Sequence, residues 1–327
     1  MSKIKNIGIL TSGGDAPGMN AAIRAVVRAS LYHNLKVTGI LRGYEGLINA
    51  DFIPMDGKSV ANIIQRGGTI LKTYRCDAFR TTEGRAQAYK NLVESEIDAL
   101  VVIGGDGTFR GADIFSQEYD FPVIGMPGTI DNDLVGTDFA IGYDTAINNV
   151  VNAVDKIRDT AESHNRLFIV EVMGRDSGLI ALRSGIGVGA EAILIPEAKI
   201  GLPQLFHRIE TGRQDKASKI IIVAEGDEGG GAYVVGEALK EKFPKYDIRV
   251  SVLGHIQRGG KPTCMDRVLA SRLGVAAVEG LLEGKTDAMV GQVNKEIIFT
   301  PFSQTTKHID AEKITPAWLR LVEILSL

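Results

Sequence analysis

Apolar residues along the chain fall into two alternating kinds of segment. Short runs rich in β-branched residues recur at 7–10, 37–40, 99–103, 123–126, 167–172, 192–195, 220–224 and 250–253. Several are apolar at every position, the pattern of strands covered by helices on both faces. Between them, helices are predicted over 20–33, 86–94, 145–160 and 266–282. The last places Val268, Leu269, Leu273, Ala276 and Ala277 close to a 3.6-residue period. Another helix is predicted over 316–325, packing Trp318. Regular alternation of strand and helix predicts parallel sheets of the doubly wound type. No Pro/Ser linker or repeat marks a domain boundary; 226–231 reads as a flexible loop, and a break near Asp138 rests on length alone.

Composition narrows the class. At roughly 150 residues per domain, 327 residues correspond to about two domains. Hydrophobic residues at 44% and charged residues at 24% exclude a mostly disordered chain. Glycine is in excess, with 38 residues and no Gly-X-Y period, which points to tight turns and close backbone approach. The balance of 37 basic against 40 acidic residues gives no footprint for nucleic acid, though an anionic small molecule needs only a local cluster of Arg and Lys. Cys76 and Cys264 are too few for a disulfide scaffold and lack metal-ligand spacing, so they read as free thiols of a reducing cytoplasm. No apolar run reaches membrane-spanning length. The basic amino terminus meets Thr11-Ser12-Gly13-Gly14-Asp15 too soon for a secretory signal. The expectation is a soluble cytoplasmic protein.

Candidate chemistry gathers where strands end. In an open parallel sheet, ligands bind beyond the carboxyl ends of the strands. Gly13-Gly14-Asp15-Ala16-Pro17-Gly18 leads from a strand into a helix, where backbone N–H groups and the positive dipole end favour a phosphate. It matches neither the Walker nor the dinucleotide pattern, and a plain strand–helix turn remains open. Gly104-Gly105-Asp106-Gly107-Thr108 offers one hard carboxylate with space around it, as Mg²⁺ on substrate phosphates requires. The same string occurs in NAD kinases and lipid kinases, so it suggests phosphoryl chemistry without naming the acceptor; an Asp N-cap is its bland alternative. Thr129-Ile130-Asp131-Asn132-Asp133 sets two carboxylates two residues apart, suited to receiving a hydroxyl proton or to building an Asx turn. His255-Ile256-Gln257-Arg258-Gly259-Gly260 joins a histidine and an arginine able to grip a terminal phosphate. Arg75, Arg166, Arg175 and Arg249, each taken alone, read as surface ion-pair partners.

Together these strings resemble the bacterial type of ATP-dependent 6-phosphofructokinase. The resemblance runs over nearly the whole chain and thins after about Pro301. It rests on residues 11–20, 104–108, 127–133, 173–175 (Met-Gly-Arg) and 254–260. It implies two Rossmann-like three-layer α/β domains with largely parallel sheets and an active site in the cleft between them. Residues 1–138 with about 251–303 would bind ATP, and 139–250 with about 304–327 would bind fructose 6-phosphate. The implied reaction passes the γ-phosphoryl of Mg·ATP to the 1-hydroxyl of fructose 6-phosphate. Gly14, Arg75, Cys76, Gly105, Asp106, Gly107 and Thr108 would form the ATP site, with Asp106 serving Mg²⁺. Asp131 would take the hydroxyl proton, supported by Thr129 and Asp133, and Arg175 would stabilise the transferring group. Ile130, Met173, Gly174 and Glu225 would line the sugar, while His255, Ile256, Gln257, Arg258, Arg166 and Arg249 would surround its 6-phosphate. Arg166 and Arg249 would come from a neighbouring subunit of a homotetramer.

Two alternatives and two departures qualify the resemblance. Pyrophosphate-dependent relatives usually carry Asp in place of Gly107 and Lys in place of Gly128, so the two glycines favour ATP. A non-catalytic nucleotide sensor is disfavoured by the presence of both Asp106 and Asp131. The family's effector site for ADP and phosphoenolpyruvate matches at Arg24, Arg28, Arg158 and Glu191. A usual arginine is replaced by Gly57, and Lys216 is the one clear cation in the stretch 214–218, so a weakened or altered allosteric response is expected.

Overall fold

The computed structural model describes residues 4–162, 166–198, 201–212, 218–226, 230–305 and 314–325. One compact unit comprises Met1–Thr145 and Arg258–His308, and a second comprises Ala146–Gln257 and Ile309–Leu327. The chain begins in the first unit with β1 (Asn6–Thr11), α1 (Met19–Tyr32), β2 (Lys36–Ile40), α2 (Tyr44–Asn49), β3 (Phe52–Met55), α3 (Thr82–Glu94), β4 (Ala99–Gly104), α4 (Asp106–Tyr119) and β5 (Val123–Pro127). Helix α5 (Tyr143–Glu162) follows. The second unit is built from β6 (Arg166–Val172), α6 (Leu179–Gly187), β7 (Ala192–Leu194), α7 (Leu202–Thr211), β8 (Lys219–Ala224), α8 (Gly231–Lys242) and β9 (Asp247–Val252). The first unit is then completed by α9 (Cys264–Leu282), β10 (Ala288–Val293) and β11 (Glu296–Pro301), and α10 (Pro316–Leu325) belongs to the second.

The first unit's sheet has the order β11-β10-β5-β4-β1-β2-β3. Its five inner strands are parallel, whereas β3 and β11 pair antiparallel at the two edges. Alternation along the strands divides the apolar residues between two faces. Leu10, Ile40, Leu100 and Val102 pack with Tyr44 and Leu47 of α2, Ala88 and Leu92 of α3, and Phe109, Ala112 and Phe115 of α4. On the opposite face α1 and α9 lie against each other, close enough that a side chain at Gly274 would meet Ala25 Cβ at 2.5 Å. Strand order reverses between β1 and β4: the chain leaves β1 toward β2 on one side and returns to β4 on the other. That is the topological switch point, where an open sheet opens a crevice for a ligand.

The second unit's four strands run in the order β7-β8-β6-β9, all parallel. Leu167, Ile169, Ile221 and Val223 pack with Leu205 and Ile209 of α7 and Val235 and Leu239 of α8. Helix α6 packs against β7 and β8, with Gly185 set against Ile193. Trp318 of α10 lies beneath the guanidinium of Arg183, 5.3 Å from its ring centre.

The predicted strands are all present, but one is displaced and three were not foreseen. Strand β9 begins at Asp247, three residues earlier than predicted, because an edge strand tolerates the polar–apolar alternation Asp247-Ile248-Arg249-Val250. Strands β3 and β11 are partly exposed pieces at the sheet's two ends, and β10 lies just inside β11. The β10–β11 hairpin turns on Asn294 and Lys295, both left-handed with φ of 49° and 73°, without the Asn-Gly pair that would announce such a turn. Helix α4 starts within the glycine-rich string 104–108, and α2, α6, α7 and α8 fill further connections between strands. Among the described residues no helix is long and apolar enough to cross a membrane.

Candidate active site

Three loops at the carboxyl ends of β1, β4 and β5 are laced together. Ser12 N–H donates to Ile103 O at 2.9 Å, Thr108 Oγ1 donates to Ser12 O at 3.2 Å, and Gly128 N–H donates to Gly104 O at 2.9 Å. Gly104 is required by close approach: a Cβ there would collide with Thr108 Oγ1 and with Ser12 O at 2.6 Å. Gly105 sits beside Thr129, with 3.6 Å between its missing Cβ and Thr129 Cβ. The glycine turn after β1, the glycine-rich loop after β4 and the carboxylate loop after β5 therefore meet at the switch point.

Asp106 is the first residue of α4, and Gly105 holds the N-cap position, so the aspartate is a first-turn carboxylate and not the cap. Its carboxylate receives Arg110 Nε and Nη2, both at 3.1 Å. Nothing lies within 4 Å of a Cβ built on Gly107, so the helix's first turn faces open space. Among the described residues no three His, Cys, Asp or Glu side chains come together as a metal cage. A cation held by one carboxylate, phosphate oxygens and water fits Asp106 in that open position.

Asp131 is 4% exposed, and its N–H donates to Thr129 Oγ1 at 3.2 Å. Asn132 adopts φ of 54°; its Nδ2 donates to Asp138 O at 3.1 Å and its Oδ1 accepts from Ala140 N–H at 2.7 Å. This asparagine closes the loop on itself and fixes Asp131 between Thr129 and the partly buried Asp133. Ile130 is fully buried, so it offers a ligand only its backbone.

Residues 69–76 run alongside the β1 turn. Thr11 Oγ1 bonds Thr69 Oγ1 and Lys72 O, and Thr73 Oγ1 donates to Gly13 O at 2.6 Å. The tether brings exposed Arg75 to this end of the sheet, while Cys76 packs as an apolar residue against the core. Arg258 also lies here. Its Nη1 donates to Asp15 O at 3.1 Å and stands 2.8 Å from where a Cβ on Gly14 would be, so this arginine, expected at the sugar's 6-phosphate, lies against the glycine turn expected to bind ATP.

In the second unit, the loops after β8, β6 and β9 also gather at adjacent strand ends. Arg175 adopts a left-handed φ of 53°, a strained state for a residue bearing a side chain. Its N–H and that of Gly174 both donate to Glu225 Oε1, at 2.8 and 3.3 Å, and Gly226 passes so close to Arg175 O that no Cβ fits. Gln257 is wholly buried: Oε1 accepts Met173 N–H at 3.2 Å and Nε2 donates to Gly254 O at 3.0 Å. Its carboxamide thus staples two loops and lies away from solvent. Asn149 of α5 supports the same turn by donating to the carbonyls of Ile256 and Gln257, which leaves His255 and Ile256 exposed.

Arg166 and Arg249 stand apart from this group. Arg166 opens β6, six residues before Val172, so about 20 Å of strand separates it from the Met173–Arg175 loop. Both arginines pair with Asp247: Arg166 Nε at 2.8 Å, Arg249 Nε at 2.9 Å and Arg249 Nη2 at 3.2 Å. The Arg166 hydrogen bond, with help from Arg249, holds the Asp247 carboxyl below its ordinary range.

Of the expected effector residues, Arg24 and Arg28 lie one turn apart on α1, and burial with the neighbouring Arg28 charge lowers the Arg24 pKa. Arg158 donates to Val188 O, and Glu191 accepts Ile220 N–H, both at 2.5 Å. Lys216 lies outside the described residues. Gly57 has open space around its missing Cβ and an ordinary backbone. Asp247, Asn149 and Asp266 went unread in the sequence. Asp266 is buried in α9 and accepts Gly142 N–H, Thr145 N–H and Thr145 Oγ1, so it caps the start of α5. A single acid or amide without a repeating motif carries no signal of such a role.

Comparison with known proteins agrees with this geometry. The family model described as phosphofructokinase matches residues 6–281. The chain is 57% identical over 309 residues to ATP-dependent 6-phosphofructokinase 2 of Bacteroides thetaiotaomicron, covering 94% of this chain and 95% of that one. It is 52% identical over 325 residues to ATP-dependent 6-phosphofructokinase 1 of Thermus thermophilus, covering 99% and 100%. Among solved structures, phosphofructokinase from Saccharomyces cerevisiae superposes with a TM-score of 0.87 at 37% identity. That match covers 98% of this chain and 47% of the yeast chain, so the chain spans about half the yeast protein's length. A pyrophosphate-dependent phosphofructokinase from Marinobacter aquaeolei, at 23% identity and a TM-score of 0.84, shares the fold. With the family model over most of its length and relatives above 50% identity end to end, the chain belongs to the phosphofructokinase family.

Proposed function

We propose that the chain transfers the γ-phosphoryl group of ATP to the 1-hydroxyl of fructose 6-phosphate, yielding fructose 1,6-bisphosphate and ADP, as a glycolytic enzyme of the cytoplasm. The observation that carries the reading is the lacing of the β1, β4 and β5 loops. It sets a glycine turn, a carboxylate at a helix amino end and a buried aspartate side by side at one switch point. The relatives' names specify the donor and the sugar.

In this reading the first unit holds ATP. Gly14, Arg75, Cys76 and the 105–108 turn take the nucleotide, the α4 amino end favours its phosphates, and Arg258 approaches from the same turn. Asp106 would hold Mg²⁺, which neutralises charge on the phosphoryl oxygens when bound. Asp131 accepts the proton of the 1-hydroxyl, in a loop set by Asn132 and flanked by Thr129 and Asp133. A positioned base of this kind contributes typically about 10²–10⁴ in rate.

The second unit holds the sugar phosphate through Met173, Gly174, Glu225 and His255. Arg175 offers a guanidinium to the transferring phosphoryl, and Glu225 orients it by accepting two N–H groups of its loop. Gln257 acts from beneath by joining the loops. The separation of Arg166 and Arg249 from these residues along β6 supports their serving the site of another copy, as in a homotetramer with shared sites. Arg24, Arg28, Arg158, Glu191 and Lys216 would form an effector site for ADP or phosphoenolpyruvate, weakened by Gly57.

The test follows fructose 1,6-bisphosphate formation with Mg²⁺ and either ATP or pyrophosphate. Turnover with ATP is expected. Turnover with pyrophosphate alone would overturn the donor assignment, and silence with both, from folded protein, would overturn the catalytic reading.

A further inference from the structure

We propose that Asp247 is a positioning residue for the sugar-phosphate site: its carboxylate holds the Arg166 and Arg249 guanidiniums side by side as a ready-made phosphate cradle. The proposal rests on the reading that these two arginines bind the 6-phosphate.

The three residues sit on neighbouring parallel strands. Arg166 faces Asp247 across the β6–β9 register, and Arg249 lies two residues farther along β9, on the same face as Asp247. Two guanidiniums this close repel each other, and each long side chain samples many rotamers when unpartnered. Asp247 answers both problems at once. Oδ2 accepts Arg166 Nε at 2.8 Å, Oδ1 pairs with Arg249 Nε at 2.9 Å, and Oδ2 also accepts Arg249 Nη2 at 3.2 Å. These contacts engage the inner edges of the two forks. Neither Nη of Arg166, nor Nη1 of Arg249, is taken up by Asp247, and a phosphate needs such paired N–H edges. The triad keeps a net charge of +1, so it still attracts a phosphate dianion. Edge strand β9 also leaves the cluster accessible, with Asp247 40% and Arg249 56% exposed at the side chain, while Arg166 at 24% is firmly directed.

Arginines ordered before the ligand arrives bind it more tightly than arginines that must be ordered by it. Two rotamer-rich side chains released from Asp247 correspond to a rise in KM for fructose 6-phosphate of roughly five- to twentyfold. The experiment measures KM and kcat for fructose 6-phosphate in D247N, D247S and D247E, in R166A/R249A, and in R166A/R249A/D247N. The assembly state of each variant is recorded alongside. D247N and D247S should raise KM while kcat holds, D247E should recover most of the loss, and D247N should add nothing once both arginines are gone. An unchanged or lowered KM in D247N and D247S would overturn the proposal, because the carboxylate would then be idle or a competitor of the phosphate. An equal KM rise in the arginine-less background would overturn it too, by showing a merely structural role. If R166A/R249A itself leaves KM unmoved, the underlying phosphate reading fails instead.

Discussion

Substituting Gly107 by Asp separates binding from stability. Gly107 is the second residue of α4, directly after Asp106, and a Cβ at that position meets nothing within 4 Å. A carboxylate there has room and falls in the helix's first turn, where the macrodipole favours a negative charge by about 0.3–1 kcal/mol. Replacing glycine inside a helix adds about 0.5–1 kcal/mol more, against which stands repulsion from Asp106. Stability should therefore hold or rise slightly. Nucleotide binding should move the other way. Two unit charges about 5 Å apart repel by about 0.8 kcal/mol in water and by roughly 3 kcal/mol at an effective dielectric of about 20. A phosphate chain over this turn meets an environment between those limits, which corresponds to a KM for ATP raised roughly ten- to hundredfold. The assay is steady-state turnover with varied ATP at saturating fructose 6-phosphate, paired with thermal melts without ligand. A KM for ATP that stays put in a well-folded variant would show that the phosphates do not lie over the first turn of α4. A lowered melting temperature would show that the space at Gly107 is not what it appears from its neighbours.

Three further outcomes are expected. Asp131→Asn, nearly isosteric at a buried position, should lower kcat by at least about 10² while fructose 6-phosphate still binds, and near-normal turnover would remove Asp131 from the role of base. Glu118 grips the buried Arg85 through two hydrogen bonds of 2.6 Å, and these, with the Arg85 charge, hold its carboxyl below the ordinary range. The folded-state pKa is depressed, so the pair's stabilisation is present above the unfolded pKa of Glu and is lost as pH falls through the folded one. Glu118→Gln should therefore destabilise by roughly 1.5–3 kcal/mol near neutrality, with the difference in melting temperature closing on acidification. Gly57→Arg, at a site with space and an ordinary backbone, should fold normally and strengthen the response to ADP or phosphoenolpyruvate; an unchanged effector titration would detach Gly57 from regulation.

The sequence disclosed what repeats and what is punctuated. Fully apolar runs such as those of β1, β4 and β8 are inner parallel strands because both faces are covered, and that burial is written in every position. Edge strands carry no such mark: β3 contains Pro54, and the β10–β11 turn places Lys295 in a left-handed state that local propensity does not favour. The candidate site was legible as strings, since glycines and carboxylates cluster where strands end. Their supports were not. Thr73, Asn149 and Asp266 act through hydrogen bonds to loops and helix ends far away in sequence, and a lone side chain of that kind looks like any other. Gln257 was legible as part of a motif, but only burial reveals that it holds backbone and not ligand.

The two glycines that separate the phosphoryl donors rest on different physics. At Gly107 space is open, so the absence of a side chain is not imposed by the fold, and packing does not compete with the donor reading that the resemblance implies for this position. Gly128 is enclosed: a Cβ there would stand 2.8 Å from Ile103 Cγ2 and 3.2 Å from Met19 Cε, beneath the hydrogen bond that laces β5 to β4. A lysine at 128 requires those core neighbours to give way first, so glycine at this position is already explained by packing. The identity of residue 128 thus says little about the donor unless residues 19 and 103 are read with it. It follows that Gly128→Lys alone should destabilise by about 1–3 kcal/mol from overpacking, before any question of substrate arises. Adding Met19→Ala and Ile103→Val should return part of that loss. If the single variant melts like the parent, the enclosure is not real, and Gly128 regains its standing as an independent witness for ATP.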